Sequence, residues 1–427
     1  MPPGMTTGTK TMKKPSALQT GSVCTRRGFL HKASLRVAAL SLSPLGLRGA
    51  AGANDRIRIG MIGTGDRAQA LLSEIVKSAR SHNVQVTAIC DVWKKNREST
   101  AAKLKKSFGT EPRAFSKFQE LLALSDVDAV IIATPDFGHT PILLEALAAG
   151  KDVYVEKPMS LDLELANKAL ALARAKQRIV QVGTQRRSDG HHIAAAQAIA
   201  AGALGKLSRI SVAVHFNHAR WARAYDDCVE ADVDWPAFLM GKGTMPFDAK
   251  LLRRWQLYRF CTNGIPGLWL PHYADLICLF TGTKYPSRAV SLGGNFIWKD
   301  GREHADTFQT ILEYPEGFLF DFTMDLGNAT GSRFLLHGTE ATLDVDNWTI
   351  TLEGGTKDKK PEPRQITAAP ATGHMENWLE CLRSRKLPAA DIQIGQQQTV
   401  AVVMSALAAE TGRRQVFDPD KQRIVGG

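Results

Sequence analysis

The residues best suited to chemistry begin at Gly63. Gly63-Thr64-Gly65-Asp66-Arg67-Ala68 follows an apolar run at 56–62 and precedes helical periodicity at Ala70, Leu71, Leu72, Ile75 and Val76. This is G-x-G-x-x-A between a strand and a helix. Gly63 permits the tight turn, and Gly65 lets backbone approach a pyrophosphate. Ala68 lets helix and strand pack closely, and the helix N-terminus faces the phosphates. A second strand, 84–90, ends at Asp91, whose carboxylate can accept hydrogen bonds from the ribose hydroxyls of an adenine dinucleotide. Asp91 would repel a 2′-phosphate, so the pattern favours NAD. Lys94, Lys95 and Arg97 lie close behind and can still accommodate NADP.

The elements that must position these groups alternate. A buried-type strand at 127–133 ends in Thr134-Pro135-Asp136, and His139 opens the next helix. A strand at 152–155 leads into Glu156-Lys157-Pro158. A helix over about 162–177 and a strand at 178–182 follow. Strands alternating with helices predict an α/β fold with a doubly wound parallel sheet. Its ligands sit beyond the carboxyl ends of the strands, where Gly63, Asp91, Thr134, Glu156 and Lys157 all fall. After about residue 183 the pattern turns β-rich, with runs at 207–216, 288–298, 307–314, 317–324, 332–337 and 342–345. Residues 393–412 are helical by periodicity and read as core packing.

The net charge of +12 is concentrated at one end. Residues 1–53 hold eight Lys or Arg and no Asp or Glu, leaving 46 basic against 42 acidic residues in the rest. That near balance excludes a generally basic nucleic-acid-binding surface. Within the basic segment, Thr25-Arg26-Arg27-Gly28-Phe29-Leu30 looks like a twin-arginine export motif. A weakly apolar run at 33–47 and the small residues Ala51-Gly52-Ala53 follow it. The expectation is a signal peptide at 1–53, a nucleotide-binding domain at 54–182, a second domain at 183–427, and a periplasmic or otherwise extracytoplasmic location. No stretch is long and apolar enough to predict a membrane span. Of the six cysteines, Cys24 lies in the leader; the other five are scattered and read as mostly buried thiols, with one optional disulfide.

Together, Gly63-Thr64-Gly65, Thr134-Pro135 with His139, Glu156-Lys157-Pro158 and Gln185-Arg186 resemble the glucose–fructose oxidoreductase/inositol dehydrogenase family, often called Gfo/Idh/MocA. The resemblance covers about residues 55–412. It implies an N-terminal Rossmann domain and a C-terminal α/β domain whose open, mostly antiparallel sheet mediates assembly as a homodimer or homotetramer. It implies a dinucleotide site at Gly63, Thr64, Gly65, Asp66, Arg67, Ala68, Asp91, Thr134, Pro135, His139, Glu156, Lys157, Gln185 and Arg186. Lys157 would contact the nicotinamide ribose and the reacting hydroxyl. An ammonium there can stabilise a developing alkoxide. The family pattern D-x-x-x-H-x-x-D meets 268–275, where His272 and Asp275 match and Leu268 stands in place of the first Asp. His272 can serve as general base, and Asp275 can bind substrate hydroxyls. Arg254, Trp255, Tyr258 and Trp269 are weaker candidates for a sugar pocket, joined by His215, His218 and Trp221. Asp300, Arg302, Glu303, His304 and Asp306 read as a solvated turn, and no metal site is expected.

Three functions fit these residues. One is an NAD(P)-dependent oxidoreductase acting on a sugar, polyol or glycoside hydroxyl. Because free NAD is scarce outside the cytoplasm, an exported enzyme must hold its cofactor tightly and regenerate it in place. The second is a redox-neutral glycosidase or lyase working by transient oxidation and elimination. The third is a non-catalytic sugar-binding protein that retains a cofactor, which the loss of Asp at position 268 motivates.

Overall fold

Short apolar runs become parallel strands where both faces are covered by helices. Six of them, β1 (Ile57–Ile62), β2 (Val84–Cys90), β3 (Arg113–Phe115), β4 (Ala129–Ile132), β5 (Asp152–Val155) and β6 (Val180–Val182), form one sheet in the order β3-β2-β1-β4-β5-β6. All neighbours in it are parallel. The helices between them are α1 (Asp66–Ser78), α2 (Lys94–Phe108), α3 (Phe118–Leu122), α4 (Asp136–Ala148) and α5 (Leu163–Ala175). Strand order reverses between β1 and β4, which opens a crevice at their carboxyl ends. This computed structural model describes residues 55–354 and 362–427. The export motif and leader at 1–53 lie outside the described residues.

The second sheet has ten strands in the order β14-β13-β12-β11-β7-β10-β9-β8-β15-β16. Its centre is β7 (Leu207–His215), paired in parallel with β10 (Phe318–Asp325); every other neighbouring pair is antiparallel. The rest are β8 (Arg288–Gly294), β9 (Thr307–Tyr314), β11 (Arg333–Gly338), β12 (Ala341–Asp344), β13 (Thr349–Leu352), β14 (Arg364–Gln365), β15 (Gln415–Asp418) and β16 (Arg423–Gly426). One face packs on α6 (Gly190–Ala200), α10 (Leu270–Thr281) and α12 (Ile392–Thr411), with Phe320, Phe322, Leu276 and Met404 in the shared core. The other face carries exposed apolar side chains, including Val290, Leu292, Ile311 and Leu319.

Three expectations change. Strand β8 stops at Gly294 rather than continuing to 298, because the Asp306 carboxylate accepts the backbone N–H groups of Phe296, Ile297 and Trp298. The polar cluster at 300–306 is therefore a scaffold for a loop, with Arg302 also paired to Asp300 at 2.8 Å. The break at residue 183 is crossed as well. Helix α11 (His374–Ser384) returns to the first domain and sets Met375, Trp378 and Leu379 in one core with α1, β1 and β2. Finally, the five described cysteines are all free, which removes the optional disulfide. Among the described residues no helix is long and apolar enough to cross a membrane.

Candidate active site

A cleft of about 790 Å³ runs along the carboxyl ends of β1, β2, β4 and β5. At one end stands the glycine turn. Gly63 has φ +81°, and a Cβ there would lie 2.6 Å from the Ala133 carbonyl oxygen, so only glycine fits. Gly65 is different: its φ of −70° suits any residue, and a Cβ would meet nothing within 4 Å. That empty space is the cleft itself, at the N-terminus of α1, where no side chain caps the amides. This is the cradle a pyrophosphate requires, and a Cβ would fill it.

Asp91 lines the cleft at the end of β2. The Thr64 N–H and hydroxyl both donate to its Oδ2, at 2.7 and 3.0 Å, and the Trp93 N–H donates to Oδ1 at 2.9 Å. Thr64 thus orients Asp91 rather than lining the cleft, and Ala68 is buried packing. The nearby cations are occupied. Arg97 donates to the Asp91 carbonyl at 2.6 Å, Lys95 pairs with Asp227 at 2.5 Å, and Lys94 lies 3.9 Å from Glu98.

The other end of the cleft gathers Glu156, Lys157, Gln185, Leu268, Trp269 and His272. A cis peptide bond joins Lys157 to Pro158. Glu156 is buried and receives Arg67 at 2.6 Å and Gln185 at 3.1 Å, tying the first turn of α1 to the end of β5. His139 faces the Pro158 carbonyl with Nδ1 at 2.7 Å and the Thr134 carbonyl with Nε2 at 2.9 Å, so it bridges the two strand-end turns. The Lys157 ammonium donates to the Leu268 backbone carbonyl at 2.6 Å. Burial pushes Lys157 below the ordinary ammonium range, while Asp136 and Glu156 pull it back up.

Asp136 is the residue that pattern reading missed. It lies in the first turn of α4, where an acidic group ordinarily reads as a complement to the helix dipole. Here it is buried, lines the cleft and accepts the Thr262 hydroxyl at 2.7 Å. Burial raises its pKa, against the pull of His139, Lys157 and Thr262. Its Oδ2 lies 3.5 Å from where a Gly267 Cβ would stand. A carboxylate therefore borders the segment just before Leu268, although position 268 holds none.

His272 opens onto the same end of the cleft from the first turn of α10. Burial, with the charges of Lys157, Arg186 and Arg67, drives its pKa well below the usual imidazole value. A neutral imidazole keeps one nitrogen able to accept a proton, and Nδ1 has no partner among the described residues.

Several expected site residues stand elsewhere. Asp275 is fully buried behind the cleft. Arg187 contacts it at 3.0 Å and Gln398 donates to it at 2.9 Å; burial still pushes its carboxyl up to about 6. Nothing in that arrangement reaches a substrate hydroxyl, so the reading of Asp275 as a site ligand is corrected. Arg186 stacks over the Tyr273 ring at 4.9 Å and does not line the cleft. Of the sugar-pocket candidates, Trp255, Trp269 and Trp221 line the cleft, whereas Arg254, Tyr258, His215 and His218 do not. Arg254 stacks over Tyr225 at 4.8 Å and donates to the Arg223 carbonyl. His215 pairs with Asp325.

The sequence reading also missed a cap. Residues 217–262 leave the second sheet and fold over the first domain. They form a Val233–Trp93 bridge, an Asp234 N–H bond to the Val92 carbonyl at 2.9 Å, and an Arg223–Asp66 pair at 3.0 Å. Phe238, Met240 and Trp255 line the cleft together with Gly63 and Gly65. The available signal was Asp234-Trp235-Pro236, an N-cap followed by proline, which starts the short helix α7 (Trp235–Leu239).

Residues 57–184 match the family model for the GFO_IDH_MocA oxidoreductase family, NAD-binding Rossmann fold. An inositol 2-dehydrogenase from Rubrobacter xylanophilus is 32% identical over 155 residues, which is 36% of this chain and 42% of that enzyme. A glycosyl hydrolase family 109 protein from Shewanella sp. is 31% identical over 114 residues, 26% of this chain and 24% of that protein. The chain spans less than half the length of either relative. The WlbA dehydrogenase from Bordetella pertussis, solved with NADH and UDP-GlcNAcA, superposes with a TM-score of 0.65 at 19% identity, over 85% of this chain and 98% of that one. Fold, fingerprint and family model agree on residues 57–184: they form an NAD-binding Rossmann domain of the kind found in the GFO_IDH_MocA oxidoreductases.

Proposed function

We propose that this chain is an exported oxidoreductase that uses tightly held NAD to oxidise or reduce a hydroxyl-bearing carbon of a sugar or polyol. One observation carries the reading: Lys157 is aimed by the Leu268 carbonyl at 2.6 Å beside a neutral His272, in the cleft that begins at Gly63 and Gly65. Gly63, Gly65, Asp91 and the free amides of α1 would hold the dinucleotide, which supplies a hydride acceptor or donor when bound. In the oxidising direction the neutral His272 ring takes the hydroxyl proton. Lys157 stabilises negative charge developing on the oxygen. Asp136 and Glu156 keep Lys157 cationic against its burial. The Asp91 carboxylate at the end of β2 would repel a 2′-phosphate, which favours NAD over NADP.

The cap supports cofactor retention, because it lines the cleft and is fastened to the first domain through Arg223–Asp66 and Val233–Trp93. Retention in turn suits export through the twin-arginine route, which carries folded proteins. The exposed apolar side chains Val290, Leu292, Ile311 and Leu319 support assembly as a homodimer or homotetramer through the second sheet. A second reading, redox-neutral cleavage of a glycoside, is favoured by the match to the glycosyl hydrolase family 109 protein.

The test begins with the exported protein purified without added nucleotide, denatured, and its released contents identified by mass spectrometry. Stoichiometric NAD is expected. The loaded enzyme is then offered polyols and paired sugars, with reduced nicotinamide as the readout, and nitrophenyl glycosides, with nitrophenol as the readout. Reduction by a polyol or sugar supports the oxidoreductase. Nitrophenol release without net reduction supports the second reading. A protein that neither carries nor binds the dinucleotide overturns both.

A further inference from the structure

The catalytic end of the cleft contains a cation without an anion. Arg220 lines the cleft from the start of the cap. Its guanidinium lies over the Phe216 ring at 4.3 Å and the Trp269 ring at 5.1 Å. Trp269 in turn stands 6.4 Å from the His272 ring, so Arg220 belongs to the reacting end of the site. Its Nε is buried and without a hydrogen-bond partner among the described residues. Two other arginines of the same cleft are paired: Arg67 with Glu156 and Arg223 with Asp66. Only burial acts on the Arg220 charge, with no acidic group countering it.

The surrounding backbone is built to hold this side chain in place. Arg302 donates to the Arg220 carbonyl at 3.5 Å while pairing with Asp300 at 2.8 Å. The next residue, Trp221, has φ +67°, a conformation that residues with a Cβ rarely adopt. Such strain gathers at ligand sites, where surrounding contacts over-determine it. A partly buried guanidinium with no anion beside it leaves its planar fork free in the cleft, and that fork matches a carboxylate. The Trp269 face beside it offers an apolar platform of the kind a sugar ring packs against.

We infer that Arg220 receives a carboxylate of the substrate, so that the enzyme acts on an acidic sugar in preference to a neutral one. This rests on the sugar-directed oxidoreductase reading above. The same guanidinium would also suit a phosphate of the dinucleotide, and the experiment separates the two sources.

The NAD-loaded wild type, Arg220→Ala and Arg220→Lys are compared. NADH affinity, read by energy transfer from tryptophan, is expected to stay within about twofold. A loss of tenfold or more in Arg220→Ala assigns Arg220 to the cofactor and overturns the inference. Glucuronate against glucose, and galacturonate against galactose, are then measured for binding by tryptophan quenching and for turnover by nicotinamide reduction. The acid is expected to win in at least one pair, by on the order of 100-fold. Arg220→Ala should abolish that preference, and Arg220→Lys should restore part of it. Neutral sugars favoured, no acid bound, or a preference surviving in Arg220→Ala overturns the inference. Acid binding without reduction faults the redox reading and leaves the assignment of Arg220 standing.

Discussion

The two fingerprint glycines should fail in opposite ways when replaced. Gly65→Ala places a methyl group in the open cradle. The backbone there, at φ −70°, accepts any residue, and nothing lies within 4 Å of the new carbon. The apo-protein should therefore fold as well as wild type. It should even gain about 0.4–1 kcal/mol, because alanine narrows the unfolded ensemble. The penalty falls on the dinucleotide, whose pyrophosphate must approach that backbone. A misplaced methyl group in a close contact costs about 1–3 kcal/mol, which is roughly a 5- to 150-fold rise in Kd. Gly63→Ala does the reverse. Its φ of +81° and the 2.6 Å approach to the Ala133 carbonyl strain the fold whether or not nucleotide is present. Differential scanning calorimetry of apo-protein and titration with NADH would measure both quantities. If Gly65→Ala binds NADH as tightly as wild type, no phosphate approaches that backbone and the cofactor placement is refuted. A lowered apo melting temperature in Gly65→Ala would refute the claim that its Cβ meets open space.

Lys157→Ala should lower kcat by about 10²–10⁴-fold, the usual worth of a positioned proton-handling group, with NADH affinity little changed in a parallel titration. His272 supplies a pH prediction. Its pKa is depressed, so the neutral, proton-accepting form persists as pH falls, and kcat/KM should show no acid limb centred near 6.5; a limb there that vanishes in His272→Ala would contradict this. Asp275→Ala should cost about 3 kcal/mol of stability by stranding the buried Arg187, while kcat of the folded fraction stays within severalfold; lost turnover at unchanged melting temperature would return Asp275 to the site. Arg223→Ala breaks the exposed pair to Asp66 on the cap and should speed NAD release by about fivefold or less, measured as nucleotide retained through gel filtration.

The first domain was legible because its signals are local. Gly63, Gly65 and Asp91 each occupy a fixed place relative to a strand end, and the strand–helix alternation requires parallel order. What could not be read depends on distant segments meeting. Helix α11 shows an ordinary amphipathic pattern, and no spacing tells that Trp378 belongs to the core of β1 and β2. Asp275 sits one turn from His272, which makes it look like a partner. Packing decides instead that its carboxylate meets Arg187 and Gln398. Arg220 and Arg223 are three residues apart in one loop, yet one is paired with Asp66 and the other has no anion. No sequence rule separates them, because the difference lies in which acid the cap brings near. Val233 and Trp93, 140 residues apart, likewise become neighbours only in the fold.

The substitution at position 268 also changes meaning once the fold is known. Taken alone, leucine in place of the family acid removes a carboxylate from the proton-handling set and weakens the case for catalysis. In the structure, position 268 still acts on Lys157, through its backbone carbonyl rather than its side chain. A backbone acceptor can orient an ammonium but cannot supply a full negative charge to offset its burial. Asp136 provides that charge from α4, with its Oδ2 beside Gly267. The acid thus lies on the same domain as Lys157, while the orienting carbonyl and His272 come from the second. Lysine charge is then set within the first domain, and lysine direction depends on how the second is seated against it. An Asp136→Asn enzyme should accordingly lose the ammonium, so its activity should fall at a lower pH on the alkaline side than wild type, with the Lys157–Leu268 contact left in place.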